Sequence, residues 1–380
     1  MRIAIFSDTY APEVNGVART LKRYTAYLEK VGIDYKLFVP ESSTPIPTVP
    51  QVERFSSIPF VLYPECRMAL PNPLYINETL KAFKPTMIHV TTPFNLGLFG
   101  AHYGKKNNIP MIASYHTNFD DYLEYYHLQF MQKWIWKYMS WFHRPFEKVY
   151  VPSHTTKEKL VNYNVHPNID IWGRGVNHLE FNPENKSNRI KEKYQIKEKN
   201  ILLYVGRLSP EKDIRIVLET FFSLPEDIKK NTHLMIVGDG PLYKSLLSSK
   251  SNQITFTGFL EGKELAEVYA SSDIFLFPSP TETFGNVVLE AQASGLPVIG
   301  ANAGGVKNLI KDGQTGFLCE PKNADEFVRK TITLLAQDNF RQTFGKQARE
   351  FALEQTWERI FERLILSYKD TLLSKERFSA

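Results

Sequence analysis

Glu282 and Glu290 stand eight positions apart, on either side of a predicted helix start at about Asn286. Between them Phe284 and Gly285 close a polar turn that follows the apolar run Ile274–Phe277. Backbone N–H groups at a helix start draw an anion such as a phosphate, and a glycine lets it come close. Glu290 is expected about 9 Å along the helix at ~1.5 Å per residue. The two carboxylates are then too far apart to share a metal or a proton. Their separation suits hydroxyls at opposite ends of an extended molecule with a diphosphate between them, and a nucleotide sugar is such a molecule. Complementary charge stands in another loop. Arg207 and Lys212 follow an apolar strand and can neutralise a diphosphate, the arginine as a fork and the lysine as a point charge.

Such loops need a scaffold that brings strand ends beside helix starts. Short apolar runs supply it: Arg2–Phe6, Tyr35–Val39, Met87–Val90, Met111–Thr117 and Lys148–Ser153, then Ile274–Phe277 after a second series. Each reads as a strand buried on both faces, alternating with helical periodicity. After the first run, Asp8, Tyr10, Pro12, Asn15 and Gly16 form a turn. A helix with Val17, Leu21, Tyr24, Leu28 and Val31 on its apolar face follows, stopped by Gly32. His116 lies just past a strand end, where α/β sheets keep their chemistry. Ser153 is a candidate helix cap. The stretch 171–188, with Gly173, Gly175, Pro183 and a polar run, reads as an interdomain connection.

Phe130–Lys148 is rich in tryptophan and basic residues and is predicted helical. It can pack on the sheet with its long cations reaching to solvent, or rest at a membrane interface. Its aromatics show no single clean face in the sequence.

Glu282-Thr-Phe-Gly-Asn-Val-Val-Leu-Glu290, in its frame of Ala-Ser-Gly-x-Pro and Gly304-Gly305, resembles the E-x7-E element of retaining glycosyltransferases of family 4 type. The resemblance extends over nearly the whole chain and implies an α/β protein of GT-B fold, two facing Rossmann-like domains with a cleft between them. The implied domains are an acceptor-side domain over 1–175, with the C-terminal helix 357–380 packing back on it, and a donor domain over 176–356.

By the same resemblance, Arg207 and Lys212 hold the diphosphate and stabilise its charge, Glu290 holds ribose hydroxyls, and Glu282 with the backbone at Phe284–Asn286 holds the hexose. His116 supports the transferring sugar, and the turn at Gly238 lies beside the nucleotide. Asn15 and Gly16 match the family's N-terminal loop, where glycine lets the backbone approach the donor phosphate or the acceptor. Arg174-Gly-Val-Asn-x-x-x-Phe matches its crossover. Arg174, Asn15 and Asp120 are the acceptor-side candidates. The catalytic candidates are His116, Glu282, Lys212 and Arg207. No cofactor or metal is implied.

Ser7–Val17, Tyr115–Tyr126 and Gly173–Asn177 most resemble the branch that moves mannose from GDP-mannose, or a UDP-hexose, to lipid-linked or glycan acceptors. UDP-glucose and UDP-N-acetylglucosamine stay open as donors. A non-catalytic nucleotide-sugar-binding protein is the alternative of another class. Its sign would be loss of Glu282, Lys212 or His116, and all three are present.

The totals set bounds. A length of 380 residues suggests two domains, and 43% hydrophobic residues suit a folded chain. A net charge of +5 suits anionic ligands or an anionic membrane surface and makes no case for nucleic acid. Two cysteines, Cys66 and Cys319, provide neither a disulfide framework nor a multi-cysteine metal site. No G-K-[ST] phosphate loop, G-x-S-x-G elbow or D-x-D is present. Asp8 comes too early for a signal-peptide core, and no run of 18 apolar residues occurs. A cytoplasmic location is therefore the expectation, with the inner face of the cell membrane as the place of any membrane contact.

Overall fold

The structure, a computed structural model, describes residues 1–13, 15–42, 49–59, 67–116, 129–249 and 251–379. The chain forms two compact units, Met1–Gly173 with Ile360–Ala380, and Arg174–Arg359.

The first unit holds β1 (Arg2–Phe6), β2 (Asp34–Pro40), β3 (Val52–Phe55), the small hairpin of β4 (Ser57–Pro59) and β5 (Arg67–Ala69), β6 (Met87–Val90), β7 (Met111–Ser114), β8 (Lys148–Val151) and β9 (Ile169–Ile171). Its main sheet is parallel, in the order β3-β2-β1-β6-β7-β8-β9. The second unit holds β10 (Asn200–Val205), β11 (Thr232–Val237), β12 (Ile254–Gly258), β13 (Ile274–Phe277), β14 (Val298–Ala301) and β15 (Gly316–Cys319). They form a parallel sheet in the order β12-β11-β10-β13-β14-β15. In each sheet the strand order reverses once near the middle, between β1 and β6 and between β10 and β13. Ligands of doubly wound sheets bind outside the carboxyl ends of the strands at such a switch point.

Burial on both faces explains the uninterrupted apolar runs. Ile3, Ala4, Ile5 and Phe6 are fully buried, as are Ile274, Phe275 and Leu276. The helix after β1 is Gly16–Lys30, with Leu21, Tyr24 and Leu28 inside. Val31, expected on that apolar face, is instead the exposed cap residue, because the helix has already ended before Gly32 at φ 69°. The strand expected over Met111–Thr117 stops at Ser114, with one further ladder bond from Tyr115 N–H to the Tyr150 carbonyl.

The helix expected over Phe130–Lys148 is shorter, Gln132–His143, after a 3-10 turn at Gln129–Met131. Its residues do sort into two faces. Trp136, Met139 and Phe142 are buried, while Phe130, Trp134 and Trp141 are exposed. The seven-residue step from Trp134 to Trp141 is two helical turns, so these two rings share a face. Among the described residues no helix is long and apolar enough to cross a membrane.

The last helix, Trp357–Ser379, passes into the first unit from Ile360. There Phe361 packs on Tyr24, and the Tyr368 hydroxyl meets His89 Nδ1 at 3.0 Å in the middle of β6. Ser367 Oγ accepts from Lys148 and Tyr150, each at 2.8 Å. Burial pushes the His89 imidazole down to about 3, so it stays neutral.

Candidate functional site

The loops that follow β10 and β13 flank the switch point of the second sheet. The loop after β10 carries Arg207, which is exposed, and then a 3-10 turn, Pro210–Lys212. The loop after β13 carries Glu282. The two meet: Lys212 Nζ donates to Glu282 Oε1 at 2.6 Å, and Ser279 Oγ lies 3.5 Å from the same oxygen. About a fifth of each side chain of the pair is exposed. The Thr281 hydroxyl donates to the Glu211 carbonyl at 3.3 Å, a second tie between these loops.

Glycines hold the loops in place. Gly285 stands at φ 101° and opens the helix Asn286–Ala293. Gly305 N–H donates to the Glu282 carbonyl at 2.6 Å. A Cβ at Gly304 would lie 2.6 Å from that carbonyl oxygen, and one at Gly305 2.5 Å from the Phe284 Cα. Gly238 (φ 134°) packs so closely that a Cβ there would be 1.9 Å from the Gly206 carbonyl oxygen. Gly238 thus stands beside the loop that carries Arg207. The Phe284 side chain belongs to the hydrophobic core.

Glu290 stands four residues into the helix, about 6 Å along its axis at ~1.5 Å per residue rather than 9 Å. The hydroxyl of the fully buried Tyr269 donates to Glu290 Oε2 at 3.2 Å and lies 3.3 Å from the Val287 carbonyl. Burial, then the Glu290 charge, drives the Tyr269 phenol well above its ordinary range, so it remains a donor. Asn286 Oδ1 is buried with no hydrogen-bond partner among the described residues. Tyr269 lay unnoticed in the sequence, although a tyrosine on an apolar helix face needs a partner for its hydroxyl.

In the first unit the loops after β1 and β6 flank the switch point. Asn15 caps the helix Gly16–Lys30 by accepting from Ala18 N–H at 2.9 Å, and its amide donates to Thr9 Oγ1 at 2.8 Å. Gly16 is exposed, and a Cβ there would meet nothing within 4 Å. Asp8 is fully buried. It accepts from Thr92 Oγ1 at 2.6 Å and from Leu96 N–H at 3.3 Å. Its burial outweighs those bonds and raises the carboxyl to about 7. In the sequence Asp8 was one residue of a turn, and nothing local signalled this burial.

His116 is 8% exposed, with its ring against the edge of Trp172 at 5.2 Å between centroids. Arg174, at the start of the second unit, is buried, and burial draws its guanidinium down to about 10. Asp120, like Cys66, lies outside the described residues. Among the described residues no group of three or more His, Cys, Asp or Glu side chains is arranged to hold a metal ion.

The family descriptions match the two units in turn. "Glycosyltransferase Family 4" matches residues 14–178 and "Glycosyl transferases group 1" matches residues 186–351. The sulfoquinovosyl transferase SQD2 of Arabidopsis thaliana is 32% identical over 369 residues, 94% of this chain and 71% of that protein. A GDP-mannose-dependent alpha-mannosyltransferase of Mycobacterium tuberculosis is 30% identical over 377 residues, 97% of this chain and 96% of that protein. The chain belongs to the GT-B glycosyltransferases. An alpha-monoglucosyldiacylglycerol synthase of Streptococcus pneumoniae is 29% identical to this glycosyltransferase over 403 residues, covering 100% of this chain and 91% of that protein. Among solved structures, the sucrose-phosphate synthase of Thermosynechococcus elongatus matches with a TM-score of 0.78 at 19% identity, covering 98% of this chain and 100% of that one. A likeness at that identity speaks for the fold alone. The two family matches and the relatives together make this glycosyltransferase an enzyme that transfers a sugar from a nucleotide sugar.

Proposed function

We propose that this glycosyltransferase moves mannose from GDP-mannose, with retention at the anomeric carbon, to a lipid-linked or glycan acceptor at the cytoplasmic face of a membrane. The observation that carries the site reading is the meeting of Lys212 and Glu282 at the switch point, a cation and a carboxylate where a diphosphate would join a hexose. The mannosyltransferase relative, aligned over nearly its whole length, supports the donor.

In this reading Lys212 and Arg207 hold the diphosphate without a metal and stabilise the charge it gains in the transition state. Glu290, steadied by Tyr269, holds ribose hydroxyls. Glu282 and the backbone at Phe284–Asn286 hold the hexose, the turn at Gly238 borders the nucleotide, and His116 supports the transferring sugar. Open space before Gly16 supports close approach of a ligand there, with Asn15, Arg174 and Asp120 on the acceptor side. The bond from the anomeric carbon to the diphosphate oxygen breaks, and the acceptor oxygen forms its bond on the same face. The acceptor's proton passes to the departing phosphate oxygen. The exposed Phe130, Trp134 and Trp141, with Lys137 beside Trp134, support a surface that rests among lipid headgroups.

UDP-glucose is the second reading, favoured by the glucosyldiacylglycerol synthase relative. Calorimetric titration with GDP-mannose, UDP-glucose and UDP-N-acetylglucosamine, chelator present, tests both. Tight binding of GDP-mannose alone is expected. Tight binding of UDP-glucose instead replaces the donor, and binding that requires a divalent ion overturns the metal-free diphosphate site.

A further inference from the structure

We infer that Glu282 also works against the product: when no hexose engages it, its carboxylate neutralises Lys212 and so weakens the hold on the nucleoside diphosphate left after transfer. The inference rests on the reading of Lys212 as the diphosphate's cation and Glu282 as the hexose's partner.

Lys212 Nζ and Glu282 Oε1 are 2.6 Å apart, a full charge-assisted contact. Neither backbone can easily withdraw. The Glu282 carbonyl is held by Gly305 N–H at 2.6 Å, and Gly304 packs against the same peptide with no room for a side chain. Lys212 ends a tight turn whose amide donates to the Ser209 carbonyl at 3.1 Å. What can change is the direction of the two side chains. A nucleoside diphosphate that arrives alone must compete with the carboxylate for Lys212 and lie beside its negative charge. A nucleotide sugar meets a different balance. Hexose hydroxyls donate to Glu282, the carboxylate's pull on the ammonium weakens, and Lys212 turns to the diphosphate. The sugar therefore counts twice, once by its own contacts and once by releasing the cation. After transfer the hexosyl group is gone, the ion pair re-forms, and the remaining diphosphate is held less well than the donor was.

The test is calorimetry on the full chain with two ligand pairs, GDP with GDP-mannose and UDP with UDP-glucose. Glu282→Gln keeps the shape and removes the charge. It is expected to bind the diphosphate about fivefold tighter than wild type, the value of a partly exposed ion pair, and the nucleotide sugar more weakly. Glu282→Ala serves the same purpose if the glutamine variant does not fold. Glu282→Asp keeps the charge and is expected to bind the diphosphate within about twofold of wild type, which a merely structural role would not produce. Unchanged or weaker diphosphate binding by both neutral variants overturns the inference. Lys212→Ala separates the two levels. If it binds the diphosphate as wild type does, the reading of the site falls, and this inference with it. If it binds weakly and the neutral Glu282 variants bind tightly, both stand.

Discussion

The two sheets share one winding, yet polar side chains take a different part in securing the loops at their two switch points. In the second unit, backbone is locked on backbone: Gly238 against the Gly206 carbonyl, and Gly304 and Gly305 against the peptides of the Glu282 turn. The Thr281 hydroxyl adds a tie to the Glu211 carbonyl, and Lys212 and Glu282 meet on this backbone frame. In the first unit, side chains join the securing, beside the close approach of Gly97 to the Thr92 carbonyl oxygen, 1.9 Å from a Cβ there. Asp8 reaches Thr92 and the amide of Leu96, and Asn15 reaches Thr9 and Ala18. Gly16 faces open space, with nothing within 4 Å of a Cβ there. Glycine therefore serves two ends in this chain, close packing at Gly97, Gly238, Gly304 and Gly305 and clearance at Gly16.

The largest expected effect that tests this contrast is Gly238→Ala. A methyl group 1.9 Å from a carbonyl oxygen, on backbone at φ 134°, requires the two loops to part. A loss of about 3 kcal/mol or more in thermal or urea unfolding is expected, and a loss below 1 kcal/mol would show that the lock is soft. Next comes Asp8. Its carboxyl is raised by burial from 3.8 to about 7, so the folded state binds the proton more tightly than the unfolded one. Its contribution to stability is whole below the lower value and declines as pH rises through the upper one. Asp8→Asn should flatten that decline, read as the melting temperature between pH 4 and pH 8. An unaltered slope would assign the decline to other groups.

A smaller effect is expected from Tyr269→Phe, which removes one hydroxyl from Glu290 and leaves the core filled. Donor affinity should fall about fivefold, near 1 kcal/mol, with no change in the Glu282–Lys212 pair. The smallest is Gly16→Ala, whose stability should stay within about 0.5 kcal/mol of wild type. Its kcat/KM should nonetheless drop if a ligand approaches this backbone, and full activity would leave the clearance without a use.

The strands were legible because parallel sheets bury both faces. Arg2–Phe6, Met87–Val90 and Ile274–Phe277 run as read, since each apolar run is bounded by polar loop residues. Met111–Thr117 was read too long, because Tyr115 and His116 stay buried after the strand has ended at Ser114. β9 has an aspartate at its centre and gave no apolar run to notice. For the tryptophan-rich helix, the sequence shows composition, but which rings face inward depends on where its first turn docks. The site was legible as residue types in loops at strand ends. The pairing of Lys212 with Glu282 was not, because it joins positions 70 apart through sheet topology. Nor was the near-neutral Asp8, whose proton affinity is set by residues more than 80 positions away, Thr92 and Leu96.

The helix Trp357–Ser379 has a consequence for how the chain is made. Residues 174–359 form a contiguous unit, whereas the first unit needs both its opening 173 residues and the segment from Ile360 onward. On a ribosome, the sheet that emerges first therefore waits longest for its cover. His89 and Tyr24 stay unsealed until Tyr368 and Phe361 leave the exit tunnel, by which time the later-made half has had its entire length available. The half that is translated second can finish first, and the first unit is closed by the helix Trp357–Ser379.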